Sequence, residues 1–271
     1  MGKAKRKKAE KLKKAERVRK FRRFGLLSII VLASIIATVA VAYIAFNPTS
    51  SPPPTNGPPP EGELKAAILD SLYIMDPNQD FLTQANQTLS NSGFKVDIYI
   101  GGNVTVELFR KLPSLGYKLI VLRVHTAYDP NLVAFFTGTY ADSGYFSEKL
   151  AGWVRIGRVE GKRFYAVTPS LIEEASQGRF QNSIVIVDSC YGLNSTSMAS
   201  AFIKKGASAY IAWDQGVYPN YSDDATLELI NHLLEGKTVE QAVILTPKDP
   251  SRFGSELSYY PISGGNVKLI G

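Results

Sequence analysis

SIVIVDSCYG, residues 183–192, is the stretch whose reading decides the fold class. Ile184 to Val187 are β-branched and apolar without alternation, so the strand they predict is covered on both faces, as in a parallel sheet. Similar runs occur in LKAAILDSLYI (64–74), KVDIYI (95–100), YKLIVLRV (117–124) and SAYIAW (208–213). Helical patterns near 79–92, 104–113, 196–205, 223–235 and 237–244 separate or follow them. The expectation is an α/β domain: a mostly parallel sheet flanked by helices on each side. A longer excursion, 130–181, contains a hairpin (WVRIGRVEGKRFYAV, 153–167) turning at Glu160-Gly161. No internal repeat is visible.

Toward the N-terminus the composition changes twice. Residues 47–63, NPTSSPPPTNGPPPEGE, read as a Pro-rich, polyproline-like linker. Before it, Gly25 to Phe46 is a run of 22 residues without a charge; at about 1.5 Å per residue it is long enough to cross a bilayer. Residues 1–24 form a basic tail, in which 13 Lys and Arg face only Glu10 and Glu16. The rest of the chain holds 18 basic against 22 acidic residues, so the overall charge of +7 belongs to the tail. The positive-inside rule expects this tail in the cytoplasm and residues 64–271 outside, at the cell membrane. The tail's expected contacts are anionic lipid headgroups, or it serves only to set orientation. No nucleic-acid partner is expected. The sequons at Asn86, Asn103, Asn194 and Asn220 suit an external domain, and the lone Cys190 excludes an intramolecular disulfide.

The chemistry-bearing residues are few. The chain has one cysteine and two histidines. Cys190 follows the strand that ends at Val187, and His125 follows the strand that ends at Val124. In open α/β sheets ligands gather at the carboxyl ends of the strands. Neighbouring strands lie about 4.8 Å apart, so a thiol and an imidazole leaving two adjacent ends suit a Cys-His dyad. A helix starting after Cys190, capped by Asn194, Ser195 or Thr196, would favour a thiolate through its dipole. The blander alternatives are a buried thiol, a packed core histidine and an Asp188 that caps its own loop. His232, within LELINHLLEG (227–236), reads as structural. No zinc-site spacing and no Gly-rich phosphate loop is present, so neither metal nor cofactor is expected.

These motifs resemble the caspase-like (caspase-hemoglobinase) cysteine peptidases. In that family one strand ends in the catalytic His and a later one in a short motif holding the nucleophilic Cys. IVLRVHT (120–126) and IVIVDSCYG (184–192) occupy those places, and DSCYG is similar to the DxC motif of metacaspases. MASAFIKKGASAYIAWDQGV (198–217) resembles the helix, Gly-Ala turn and next strand of gingipain-like and CHAT-type members. The resemblance spans roughly residues 65–235 and implies Cys190 as nucleophile and His125 as general acid/base. It also implies Asp188 as a ligand for a basic P1 side chain. Asp80 and Asp214 are candidates for a second carboxylate that no motif fixes. Thr126 stands where the family commonly has Gly, and Tyr191 where metacaspases often have His. The expected function is a membrane-anchored, extracytoplasmic cysteine endopeptidase acting on protein or peptide substrates, with Lys/Arg at P1. The alternative is a catalytically inactive surface binding or adhesion module on the same fold.

Overall fold

A computed structural model describes residues 63–129, 131–251 and 253–270. The expected basic tail, the membrane-spanning segment 25–46 and all but the end of the linker lie outside the described residues. Among the described residues, no helix is long and apolar enough to cross a membrane.

The apolar runs form a six-stranded sheet in the order β2-β1-β3-β8-β9-β10. Its members are β1 (Lys65–Asp70), β2 (Lys95–Ile100), β3 (Leu119–Arg123), β8 (Ile184–Asp188), β9 (Ala209–Trp213) and β10 (Leu257–Tyr260). The first five are parallel, and β10 runs antiparallel to β9. The sheet is therefore mixed and mostly parallel, flanked by helices. The four inner strands β1, β3, β8 and β9 are buried almost without interruption, the burial that unbroken apolar runs predict.

Among the described residues, six α-helices and several short helical turns complete the domain: α1 (Gln79–Asn91), α2 (Val106–Lys111), α3 (Phe146–Leu150), α4 (Ser197–Lys204), α5 (Pro219–Leu234) and α6 (Val239–Leu245). One sheet face, with Ile68, Val121, Ile186 and Ile211, packs on α1, α5 and α6 through Phe81, Leu89, Leu229, Leu233 and Ala242. The other, with Leu69, Leu122 and Val187, packs on α2 and α4 through Phe109, Met198 and Phe202. Local signals place the helix starts. The Asn78 side chain accepts from Phe81 N, Thr105 from Leu108 N, and Thr238 with Gln241 makes a reciprocal capping box. The fifth helix begins at Pro219, four residues before the expected 223, because a proline fits the first turn, where its missing N–H costs nothing.

The excursion is more ordered than its sequence suggests. It holds a second, antiparallel sheet in the order β4-β5-β7-β6. The strands are β4 (Thr126–Asp129), β5 (Leu132–Tyr140), β6 (Val154–Val159) and β7 (Lys162–Val167). The β6–β7 hairpin turns at Glu160 and Gly161, both with positive φ, as expected. Strands β4 and β5 were not expected. The second sheet starts at Thr126 rather than near 130, directly after His125, with no turn residue to mark the boundary. Val133, Phe135, Tyr165 and Val167 pack into the core of the main sheet.

Candidate active site

Three strands end in one charged row. Asp70 of β1 is in register with Arg123 of β3, and Arg123 with Asp188 of β8. His125 and Cys190 each lie two residues beyond the paired Arg123 and Asp188, so they leave adjacent strand ends at the same level. Alternation along a strand puts residues two apart on one face, here the face of Arg123 and Asp188. Two bonds tie the exits together: Val124 N donates to Asp188 O (3.3 Å), and Thr126 Oγ1 and Ser189 Oγ share a hydrogen bond of 2.5 Å. Thr126 thus uses its hydroxyl to clamp the residue after His125 to the residue before Cys190.

His125 is half-buried. Its backbone carbonyl accepts from Phe136 N (2.9 Å), and the Phe136 ring meets the imidazole edge-on at 6.2 Å. Nε2 is buried and has no hydrogen-bond partner among the described residues. Burial lowers the imidazole pKa from its ordinary value of 6.5; Glu160 opposes the shift, Arg123 adds to it and Asp76 opposes it more weakly. A neutral imidazole with a free ring nitrogen can accept a proton.

Cys190 is half-buried against Trp213, Val217 and Ala225. Its thiol lies 3.2 Å from Val217 O, as donor, and takes the N–H of Val217 at 3.3 Å. The chain then turns sharply. Tyr191 has φ 57° and donates its N–H to Gln215 O. At Gly192 a side chain would meet Ala212 Cβ at 2.8 Å, so the small residue lets the chain cross β9. Of the expected caps, Thr196 occupies the N-cap of α4 without a side-chain bond, and Ser195 Oγ accepts from Ser197 N.

The three expected substrate carboxylates end up in different places. Asp80 is exposed in the first turn of α1. Asp214 closes β9 half-buried, its Oδ1 accepting from Glu256 N (2.8 Å) and Ser255 Oγ (3.3 Å), and begins the loop that reaches Val217. Asp188 points inward and is 3% exposed. It accepts from Ser222 Oγ, which in turn accepts from Trp213 Nε1. Burial, then the neighbouring Asp223, raise its pKa well above the carboxylate range. The group is buried, its surroundings disfavour the charged form, and it is not offered to a substrate guanidinium at a cleft floor.

Arg123 holds the row together. Its Nε and Nη2 bind Asp223 of α5 at 2.6 and 3.0 Å, and its Nη1 binds Asp70 (3.2 Å) and Asp76 O (2.8 Å). Asn78 Nδ2 adds a bond to Asp223 (2.7 Å). One guanidinium serving several carboxyl groups cannot offset the desolvation of all, and burial lifts Asp70 to about 6 despite its ion pair. Sequence reasoning missed this hub. Its signal was an arginine inside the fully buried run LIVLR, where a charge demands partners. It also missed Val217, whose part is played by backbone atoms that carry no residue signature. His232 sits in the last turn of α5 with Glu235 Oε2 3.6 Å from Nδ1.

No protein-family model matches the chain, and no curated protein matches it.

Proposed function

We propose that the domain is a caspase-like cysteine endopeptidase in which Cys190 is the nucleophile and His125 the general acid/base, anchored outside the cytoplasm by residues 25–46. The observation that carries the reading is the pairing of adjacent, in-register strand ends, one bearing the only cysteine and the other a neutral histidine whose Nε2 has no partner among the described residues.

In this mechanism the Cys190 thiol gives its proton to His125, and the sulfur attacks the scissile carbonyl. The Val217 N–H is already aimed at the sulfur and remains a donor to it as charge develops. The imidazolium then protonates the departing amine, leaving a thioester. His125 next takes a proton from water, which attacks the thioester, and returns it to the sulfur as the acid product leaves. The Thr126–Ser189 clamp fixes the two strand exits relative to each other, which limits the entropy lost on reaching the reactive geometry. Because Asp188 is buried, a basic P1 side chain is assigned to the half-buried Asp214.

One observation favours the competing reading, a non-catalytic binding module: the thiol bonds to the Val217 backbone rather than to the imidazole. Incubating the full chain with a peptide library under reducing conditions separates the two. The peptidase reading expects cleavage that disappears in Cys190→Ala and falls at least about a hundredfold in His125→Ala. Absence of cleavage across the library, or cleavage surviving Cys190→Ala, contradicts it.

A further inference from the structure

The four sequons are equivalent as triplets, and folding makes them unequal. A glycosyl transferase must reach the asparagine amide and, two residues on, the hydroxyl that marks the acceptor. In a folded chain a usable acceptor therefore needs both groups exposed, uncommitted and outside a helix, because residues two apart on a helix do not face each other.

Three of the four do not meet these conditions. Asn86 is half-buried in the middle of α1, and its Oδ1 accepts from Ser90 Oγ (3.3 Å). Asn103 is exposed, but the Thr105 hydroxyl is committed to capping α2, accepting from Leu108 N (3.0 Å). Asn220 is exposed in the first turn of α5, while the Ser222 hydroxyl is buried, donating to Asp188 and accepting from Trp213 Nε1 (2.9 Å). Presenting Ser222 to an enzyme requires the start of α5 to open.

Asn194 meets them all. It is exposed in the non-helical segment between β8 and α4, and among the described residues its side-chain amide has no partner. Thr196 is also exposed and stands at the N-cap of α4, yet its hydroxyl does not make the bond that an N-cap threonine ordinarily makes. The Ser195 hydroxyl accepts from Ser197 N instead (3.2 Å). The backbone leading to Asn194 is held in place, Tyr191 N donating to Gln215 O (2.8 Å), Leu193 N to Trp213 O (2.9 Å) and Asn194 N to Tyr191 O (3.2 Å).

We propose that Asn194 is an N-glycosylation site of the folded domain. The inference rests on the proposed placement of residues 64–271 outside the cytoplasm and adds a modification to it. In the transfer, Asn194 Nδ2 attacks the anomeric carbon of a sugar carried on a lipid phosphate or pyrophosphate. The N–C bond forms as the bond from that carbon to the phosphate oxygen breaks, the lipid phosphate leaves with the electron pair, and the transferase takes the amide proton. Asn194 is four residues past Cys190, within about 14 Å of it along the chain, so the sugar would flank the candidate nucleophile.

The first measurement is independent of location. The full, folded chain in detergent is incubated with a purified oligosaccharyltransferase and a polyprenyl pyrophosphate-linked oligosaccharide. Modified asparagines are then found by peptide N-glycosidase release in heavy-oxygen water and mass spectrometry. Asn194 should be occupied at least about tenfold more than Asn220, since exposing Ser222 needs local unfolding, and the difference should vanish in chain unfolded beforehand. Thr196→Ala should abolish the transfer, Thr196→Ser should retain it, and Asn220→Gln should leave it unchanged. No transfer to the folded chain, or equal occupancy of Asn194 and Asn220 in it, would overturn the proposal.

The second measurement uses full chain made in cells that carry such a transferase, where Asn194 should be occupied. A bare Asn194 on a domain that external protease digests would overturn the proposal and leave the membrane placement standing. A bare Asn194 on a domain protected from that protease would overturn both.

Discussion

Arg123 sets the physical character of the site at the scale of single residues. Its guanidinium is fully buried among Asp70, Asp188 and Asp223, three carboxyl groups that would otherwise share a water-free pocket. Replacing it with Met removes the cation and leaves the acids, and loss of one partner from a buried charged set costs about 3–5 kcal/mol. Denaturant unfolding of Arg123→Met should show that loss. Asp188→Asn makes the opposite case. An amide oxygen can still accept from Ser222, and burial with Asp223 already disfavours a charge at this position, so stability should change by less than about 1 kcal/mol. Cleavage after arginine should be equally indifferent. A large drop confined to arginine substrates would restore Asp188 to a substrate-binding role.

The same residues predict a dependence on pH. Asp70 titrates near 6 in the folded chain against an ordinary 3.8. Between those values the folded state holds the extra proton, so its contribution to stability is complete below about 3.8 and is lost as pH rises through about 6. The difference amounts to about 3 kcal/mol. Asp70→Asn should flatten that part of the stability curve. His125 has the opposite sign: its folded pKa lies below 6.5, so its contribution is complete above 6.5 and lost as pH falls through the lowered value. For activity, the acid limb of the free enzyme's rate profile should fall below 6.5, because the base must be neutral. An acid limb at or above 6.5 would assign the proton transfer to another group.

Among the elements, the second sheet decides how the site is framed. Its strand β5 passes the end of β2 so closely that a Cβ at Gly138 would lie 1.7 Å from Gly101 O, backbone that cannot step aside. Gly138 N also donates to Val104 O at 2.7 Å. Gly138→Ala should therefore destabilise the domain by about 3 kcal/mol or more and loosen Phe136 and His125 behind it, a change that thermal unfolding would reveal. If that variant unfolds like the parent, β5 does not seat on the end of β2 as described. This sheet was only half legible in the sequence. The β6–β7 hairpin announced itself through Glu160-Gly161 between two alternating runs. In contrast, LVAFFTGTY (132–140) has a mixed pattern, and β4 follows His125 with no punctuation. The main sheet was legible because β3, β8 and β9 are unbroken apolar runs, a consequence of burial on both faces. The candidate pair stood out through rarity, as the chain has one thiol and two imidazoles; the bonding of that thiol to the Val217 backbone was not legible. The inward turn of Asp188 was not, since it depends on α5 bringing Ser222 and Asp223 beside it from more than thirty residues away.

At the scale of the whole molecule, the charge asymmetry and the apolar segment lead to the proposed membrane setting of the domain. The expected anchor, 25–46, would hold a net-acidic domain that bears the candidate catalytic pair. Full-length chain made in cells is expected to sediment with membranes and to need detergent for release, with residues 64–271 digested by external protease and the tail protected. Release by high salt alone would mean that the basic tail, not a spanning helix, holds the protein to the membrane.

The central claim is that Cys190 attacks peptide carbonyls with the help of His125. It is tested most directly by treating the full chain with a peptidyl acyloxymethyl ketone bearing P1 Arg and locating the adduct by mass spectrometry. The account predicts one adduct, on Cys190, formed far more slowly in His125→Ala and blocked by prior incubation with substrate peptide. An unlabelled Cys190 in reduced, folded protein across a panel of P1 residues, or labelling at the same rate without His125, would contradict it.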